Sequence, residues 1–129
     1  DLDNVDKLSK ALELTGRIAR ESDAEVIYAG VVDVVPTSSK RSHLDQALER
    51  LKTFAAAQAE TYGIRAKDHV ALRGDLHLNV GSDIIKAASE AECDLIVMAS
   101  HMPGLKEHFL ASNAGYVASH APMSVYVVR

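Results

Sequence analysis

The sequence predicts an α/β protein built as an open parallel sheet with helices on both faces. Three observations carry that reading. Segments with apolar residues at helical spacing alternate four times with short β-branched or apolar runs, the pattern of a chain crossing repeatedly from helix to parallel strand. One run, Leu-Ile-Val-Met at residues 95–98, holds no polar residue, as a strand covered on both faces requires. Polar, Pro or Gly breaks follow the strand runs at 36–41, 74–75 and 100–104, the ends at which open sheets of this class bind ligands.

Taken in order, Val5, Leu8, Leu12, Thr15, Ile18 and Ala19 recur at helical spacing behind the caps Asp3 or Asn4, so a helix is expected over about 4–21. Residues 24–35, rich in Val, Ile and Tyr and stopped by Pro36, read as a strand. Ser42 with Asp45 resembles a capping box. It opens a second helix whose apolar face runs through Leu44, Ala47, Leu48, Leu51, Ala55, Ala59 and Tyr62 to the C-cap Gly63. Residues 68–73 form a short strand, and Ser82 or Asp83 starts a third helix carrying Ile84, Ile85, Ala87, Ala88 and Ala91. After the strand at 95–98, Ser112 caps a fourth helix with Ala114, Val117, Ala118 and Ala121 on one face. Its unpaired N–H groups point back at the loop, where they attract phosphate. Ala121-Pro122 then turns the chain into a β-branched strand, Ser124–Val128.

The bulk numbers narrow the function. With 129 residues the chain forms one domain, 1–129, and 47% hydrophobic residues without Trp suit a core of Val, Ile, Leu and Ala. A net charge of −4 argues against general nucleic-acid binding, which needs a basic surface. A lone cysteine, Cys93, excludes an intrachain disulfide and a multi-cysteine metal site. No signal peptide and no apolar run near membrane length is present, so the expectation is a cytoplasmic protein without membrane contact. His43, His69, His77, His101, His108 and His120 are scattered and match no metal-ligand spacing. Neither a Gly-x-Ser-x-Gly elbow nor a Gly-x-x-x-x-Gly-Lys-Ser/Thr loop occurs.

Residues 94–101 (Asp-Leu-Ile-Val-Met-Ala-Ser-His), 110–114 (Leu-Ala-Ser-Asn-Ala), His120-Ala-Pro and the final Ser-Val-Tyr-Val-Val-Arg, together with Arg73-Gly74-Asp75 before the third helix, resemble the universal stress protein family over nearly the whole chain. The resemblance implies a Rossmann-like five-stranded parallel sheet in the order 3-2-1-4-5. In many members it implies bound ATP, with Mg as a companion ion, and dimers paired through the terminal strand, here a homodimer through Ser124–Val128. It aligns Asp1, with Asp3 as a second match, to the Asp that ends the family's first strand near the adenine. That alignment leaves the first strand outside the chain. A sheet without its central strand exposes apolar edges, so a further segment or a partner strand is expected to fill the gap.

The resemblance also carries over a ligand set. Val31 matches the position whose backbone reads the adenine edge, although it also suits an ordinary core. Met98, Ala99, Ser100, His101, Met102, Pro103, Ala111, Ser112 and Asn113 match the phosphate and ribose contacts. Ser112 serves equally as a plain N-cap, and Lys106 and His108 as solvated charges. ATP-binding members usually space glycine, two residues, glycine, nine residues, glycine and Ser or Thr. Here Ala99, Met102 and Ala111 replace the glycines, Ser112 is kept, and the second interval is one residue short. A subgroup with a Ser-His-x-Pro loop shares the short interval and the first Ala, which leaves Ala111 as the sharper departure. Its methyl group opposes the close approach that glycine permits. Two functions follow: an ATP-binding stress-response or signalling module, or a dimeric interaction protein that does not bind nucleotide. Weak ATP hydrolysis or autophosphorylation lacks an identifiable general base, so an enzyme is not expected.

Overall fold

The computed structural model describes residues 5–33, 40–73, 79–99 and 113–129. Helices and strands alternate as α1 (Val5–Ser22), β1 (Glu25–Asp33), α2 (Lys40–Tyr62), β2 (Arg65–Arg73), α3 (Val80–Glu90), β3 (Leu95–Ala99), α4 (Asn113–His120) and β4 (Ser124–Val128). β1 and β2 pair in parallel from Glu25 opposite Arg65 to Asp33 opposite Arg73. β3 and β4 do the same from Leu95 opposite Ser124 to Ala99 opposite Val128. α2 and α3 both pack on β1 and β2, α2 together with α1 and α3 together with α4, so the two pairs of helices cover opposite faces.

Four boundaries correct the sequence reading. α2 already runs at Lys40, so Ser42 lies inside the helix and does not cap it. Lys and Arg are good helix formers, and a capping box marks a boundary only to within a residue or two. β2 begins at Arg65, three residues ahead of the expected Asp68, because its backbone pairs with the whole of β1. Lys67 also reaches across to Glu25 at 2.8 Å. α3 begins at Val80 with Asn79 as its cap. The Asn79 side chain accepts from the Gly81 N–H at 2.8 Å, and the Ser82 hydroxyl donates to the Asn79 carbonyl at 2.6 Å. In α4, Ala114 and Val117 are buried as expected, but Ala118 faces solvent and Ala121 lies beyond the last turn. The face that reaches the sheet is therefore one residue narrower than the apolar pattern.

Small residues set the helix spacing. Ala11 and Ala19 of α1, Ala55 of α2, Ala87 of α3 and Ala114 of α4 are all buried beside Leu51, Ile96 and Val117. Where α1 meets α2, a Cβ on Gly16 would stand 2.6 Å from the Tyr62 ring. Where α3 meets α4, one on Gly81 would stand 2.6 Å from Tyr116. Neither site accepts a methyl group without displacing an aromatic ring.

In place of the expected five-stranded sheet, the described residues hold four strands in two pairs. β1-β2 and β3-β4 are separate two-stranded parallel sheets. β2 and β3 are joined through the single helix α3, which returns the chain to its starting end, so all four strands run the same way. The order across the fold is thus β2-β1, a break, then β3-β4. The break falls where the resemblance puts the family's first strand.

Three helices end alike. Asp23, Gly63 and Glu92 take φ of 52°, 62° and 53°. In each case the following N–H bonds to a carbonyl five residues back: Ala24 to Ala19 at 2.9 Å, Ile64 to Ala59 at 3.1 Å and Cys93 to Ala88 at 2.9 Å. This left-handed close satisfies the last helical carbonyls, and only Gly63 adopts it without strain. Glu92→Gly is therefore expected to raise the urea midpoint, by about 1 kcal/mol of stability, and Gly63→Ala to lower it by about as much. Equal midpoints would remove the conformational argument.

Tyr28 packs edge-on against Phe54 of α2 at 5.3 Å. Its hydroxyl oxygen is buried without a hydrogen-bond partner among the described residues. Burial first, and Tyr62 second, push its pKa up to about 12. A raised pKa means that folding favours the protonated phenol. Its stabilising contribution is complete below the ordinary value of about 10 and is lost as pH climbs toward 12. Tyr28→Phe should leave neutral-pH stability unchanged or slightly higher, since an unsatisfied polar atom is removed. It should also flatten the alkaline loss of stability in chemical unfolding between about pH 10 and 12.

Candidate functional site at the strand ends

A strand followed by a helix that packs back on the sheet puts the start of the helix at the carboxyl end of the strand. In this fold α1, α2, α3 and α4 all begin at that end. The positive ends of four helix dipoles therefore gather over the C-terminal ends of β1 and β3, a setting that favours an anionic ligand.

Of the residues singled out from sequence, the structure describes four. Val31 lies near the end of β1, half-buried and paired with Ala71. Tyr28 meets Phe54 and Gly30 faces Leu51, both on α2, so strand alternation turns Val31 toward the opposite face. Met98 and Ala99 close β3, opposite Val127 and Val128, and both are half-buried. Asn113 is the first residue of α4 and is exposed. The four gather at one end of the fold, but Val31 belongs to one two-stranded sheet and Met98 and Ala99 to the other. Asp1, Ser100, His101, Met102, Pro103, Ala111 and Ser112 lie outside the described residues.

The placement of Asn113 depends on residues that the sequence reading passed over. Val117, fully buried, and Ala114 anchor α4. The Tyr116 ring covers Gly81 of α3 and stacks on His120, with centroids 4.2 Å apart. His120 Nδ1 lies 2.9 Å from the Tyr116 carbonyl in the last turn. Gly81 was the available signal: a glycine in the first turn of a helix, with no turn to make, marks a close neighbour.

The other end of the fold offers less chemistry. A shallow depression of about 400 Å³ there is lined by Ala19, Arg20, Asp23, Gly63 and Arg65, among others. Two of its charges already serve each other, because Arg65 donates to the Asp23 carbonyl and lies 3.4 Å from the Asp23 carboxylate. Cys93, just ahead of β3, has its thiol pKa raised by burial first and by Asp94 second, so it is a poor nucleophile. Among the described residues no three His, Cys, Asp or Glu side chains gather to hold a metal ion. No helix there is long and apolar enough to cross a membrane.

Comparison with known proteins gives these features a family. The profile described as "Universal stress protein family" matches residues 2–129. Universal stress protein G of Salmonella typhimurium is 30% identical over 129 residues, 92% of this chain and 91% of that protein. A universal stress protein solved in complex with cAMP is 18% identical. It covers 96% of this chain and 90% of its own, with a TM-score of 0.76. The Archaeoglobus fulgidus universal stress protein in complex with dAMP is 19% identical, covering 96% and 89%, with a TM-score of 0.70. The parallel strands flanked by helices, the profile match along the chain and the likeness to the Salmonella protein agree: this chain belongs to the universal stress protein family.

Proposed function

We propose that this protein is a nucleotide-binding stress-response module that holds an adenine nucleotide, ATP among them, across the C-terminal ends of β1 and β3. The observation that carries the reading is the convergence of Val31, Met98, Ala99 and the first residue of α4 at the strand ends, in a fold whose solved neighbours hold cAMP and dAMP. In this reading the Val31 backbone meets the adenine edge and Asp1 lies beside the base. The loop from Ser100 to Pro103, with Ala111, Ser112 and Asn113, takes the phosphates, and Mg accompanies a triphosphate. The protein would act by changing its contacts with other proteins on binding.

Calorimetric titration with AMP, cAMP and ATP tests the proposal, and no heat with any of them would overturn it. Ser112→Ala should weaken binding by about 1.5–3 kcal/mol, the loss of one hydrogen bond to a charged group. Ala111→Gly should tighten it if the methyl group limits the approach of the phosphates, and an unchanged affinity would remove that explanation.

A second role, homodimerisation, is favoured by β4. Among the described residues it has one neighbour, β3, and ends its sheet, and Tyr126 is 48% exposed. A β-branched edge strand with free backbone groups can pair with its own copy about a two-fold axis. Val125→Pro or Val127→Pro should remove a donor at whichever position faces the partner. Light scattering would then show monomer for at least one of the two, and dimers unaffected by either would place the contact elsewhere.

A further inference from the structure

The end of the fold away from the carboxyl ends of the strands holds a second concave surface, and its polar inventory is one-sided. α1 and α2 finish there, at Ser22 and Tyr62, and β1 and β2 start there. The left-handed turns at Asp23 and Gly63 frame the depression of about 400 Å³ between them. Its floor is apolar, formed by Ala19, Ala24, Ala59 and Ile64. A Cβ on Gly63 would meet nothing within 4 Å, so the space over that turn is open.

The backbone groups of the floor already serve each other. The Ala24 N–H donates to the Ala19 carbonyl at 2.9 Å, and the Ile64 N–H donates to the Ala59 carbonyl at 3.1 Å. Both helix ends are closed in this way, which engages carbonyls that would otherwise present partial negative charge. What remains is cationic donors. Arg65 uses one guanidinium nitrogen, Nη2, for both of its contacts with Asp23. Its Nη1 and Nε have no partner among the described residues, and the Arg20 guanidinium has none there either. The Asp23 side chain is 96% exposed, so water and salt screen its hold on Arg65.

We propose that this depression binds a small monocarboxylate with a short apolar tail. Arg20 and the unengaged edge of Arg65 hold the carboxylate, and the alanine and isoleucine floor receives the tail. A guanidinium edge matches the two oxygens of a carboxylate. The charged residues of the lining, Arg20, Arg65 and Asp23, leave one net positive charge, which a monoanion balances and a phosphate dianion does not. The volume lies within the range of about 300–1,000 Å³ usual for small-molecule sites and leaves room for more than a bare carboxylate. The site stands at the end of β1 opposite to Val31, so it is independent of the nucleotide reading.

NMR titration of the isotope-labelled chain at constant ionic strength, following the amides of Ala24, Gly63, Ile64 and Arg65, tests the proposal with butyrate, acetate, methyl phosphate and butylammonium. Butyrate should shift these amides along saturating curves. It should bind about three- to tenfold more tightly than acetate, because two more methylene groups meet the floor, and butylammonium should leave the amides unmoved. Shifts that do not saturate, or an equal response to butylammonium, would overturn the site. Equal affinity for acetate and butyrate would overturn the role of the floor, and tighter binding of methyl phosphate than of acetate would overturn the choice of a carboxylate. Arg20→Gln and Arg65→Gln should each weaken butyrate about fivefold. Asp23→Asn removes the competing carboxylate, keeps a residue suited to the left-handed turn, and should tighten butyrate about threefold. Arg20 has no partner whose loss would disturb the fold, so an Arg20→Gln protein that binds butyrate as the parent does would overturn the proposal even if Arg65→Gln failed to fold.

Discussion

The pairing of backbone polar groups governs this structure. A parallel strand in the middle of a sheet must find partners for its N–H and C=O groups on both sides, because buried groups left unpaired are costly. β2 and β4 stand at the outer edges, where solvent can serve. β1 and β3 are interior strands by composition, yet among the described residues each is paired on one side only. The two half-sheets are held in one fold by side-chain packing: α1 spans β1 and β3, while α3 and α4 pack together on the other face.

That packing works through close approach. The buried helix positions are mostly alanine, and glycines at 16 and 81 admit Tyr62 and Tyr116 within distances that any side chain would prevent. Small residues let the helix axes come near the sheet, so many weak contacts add up, and the helices can bridge a break that no hydrogen bond crosses. The same contacts orient function. Tyr116 against Gly81 fixes α4 relative to α3, and α4 begins at the residue that faces the strand ends.

The chemistry available at those ends is electrostatic. Four helix N-termini supply partial positive charge, and Asp83 stands in the first turn of one of them, α3. Helix N-termini gathered in this way favour an anionic group.

The alternation of elements, the apolar stretch that becomes β3, the C-cap at Gly63, the terminal strand and the family were all legible in the sequence, because each rests on local periodicity, turn chemistry or short motifs. That Val31, Met98, Ala99 and Asn113 stand at strand ends and a helix start was legible for a related reason: in a parallel α/β chain the ends of strands and the starts of helices lie on one side by topology. Other features depended on partners distant in sequence. The start of β2 was set by the full length of β1, the cap of α3 by an Asn that competes with two other plausible caps, and the exposed side of Ala118 by where α3 leaves room. The tight contacts of Gly16 with Tyr62 and Gly81 with Tyr116 join residues whose separation along the chain carries no signal. The division into two sheets was likewise decided in three dimensions, because whether a strand edge is paired depends on which backbone lies beside it.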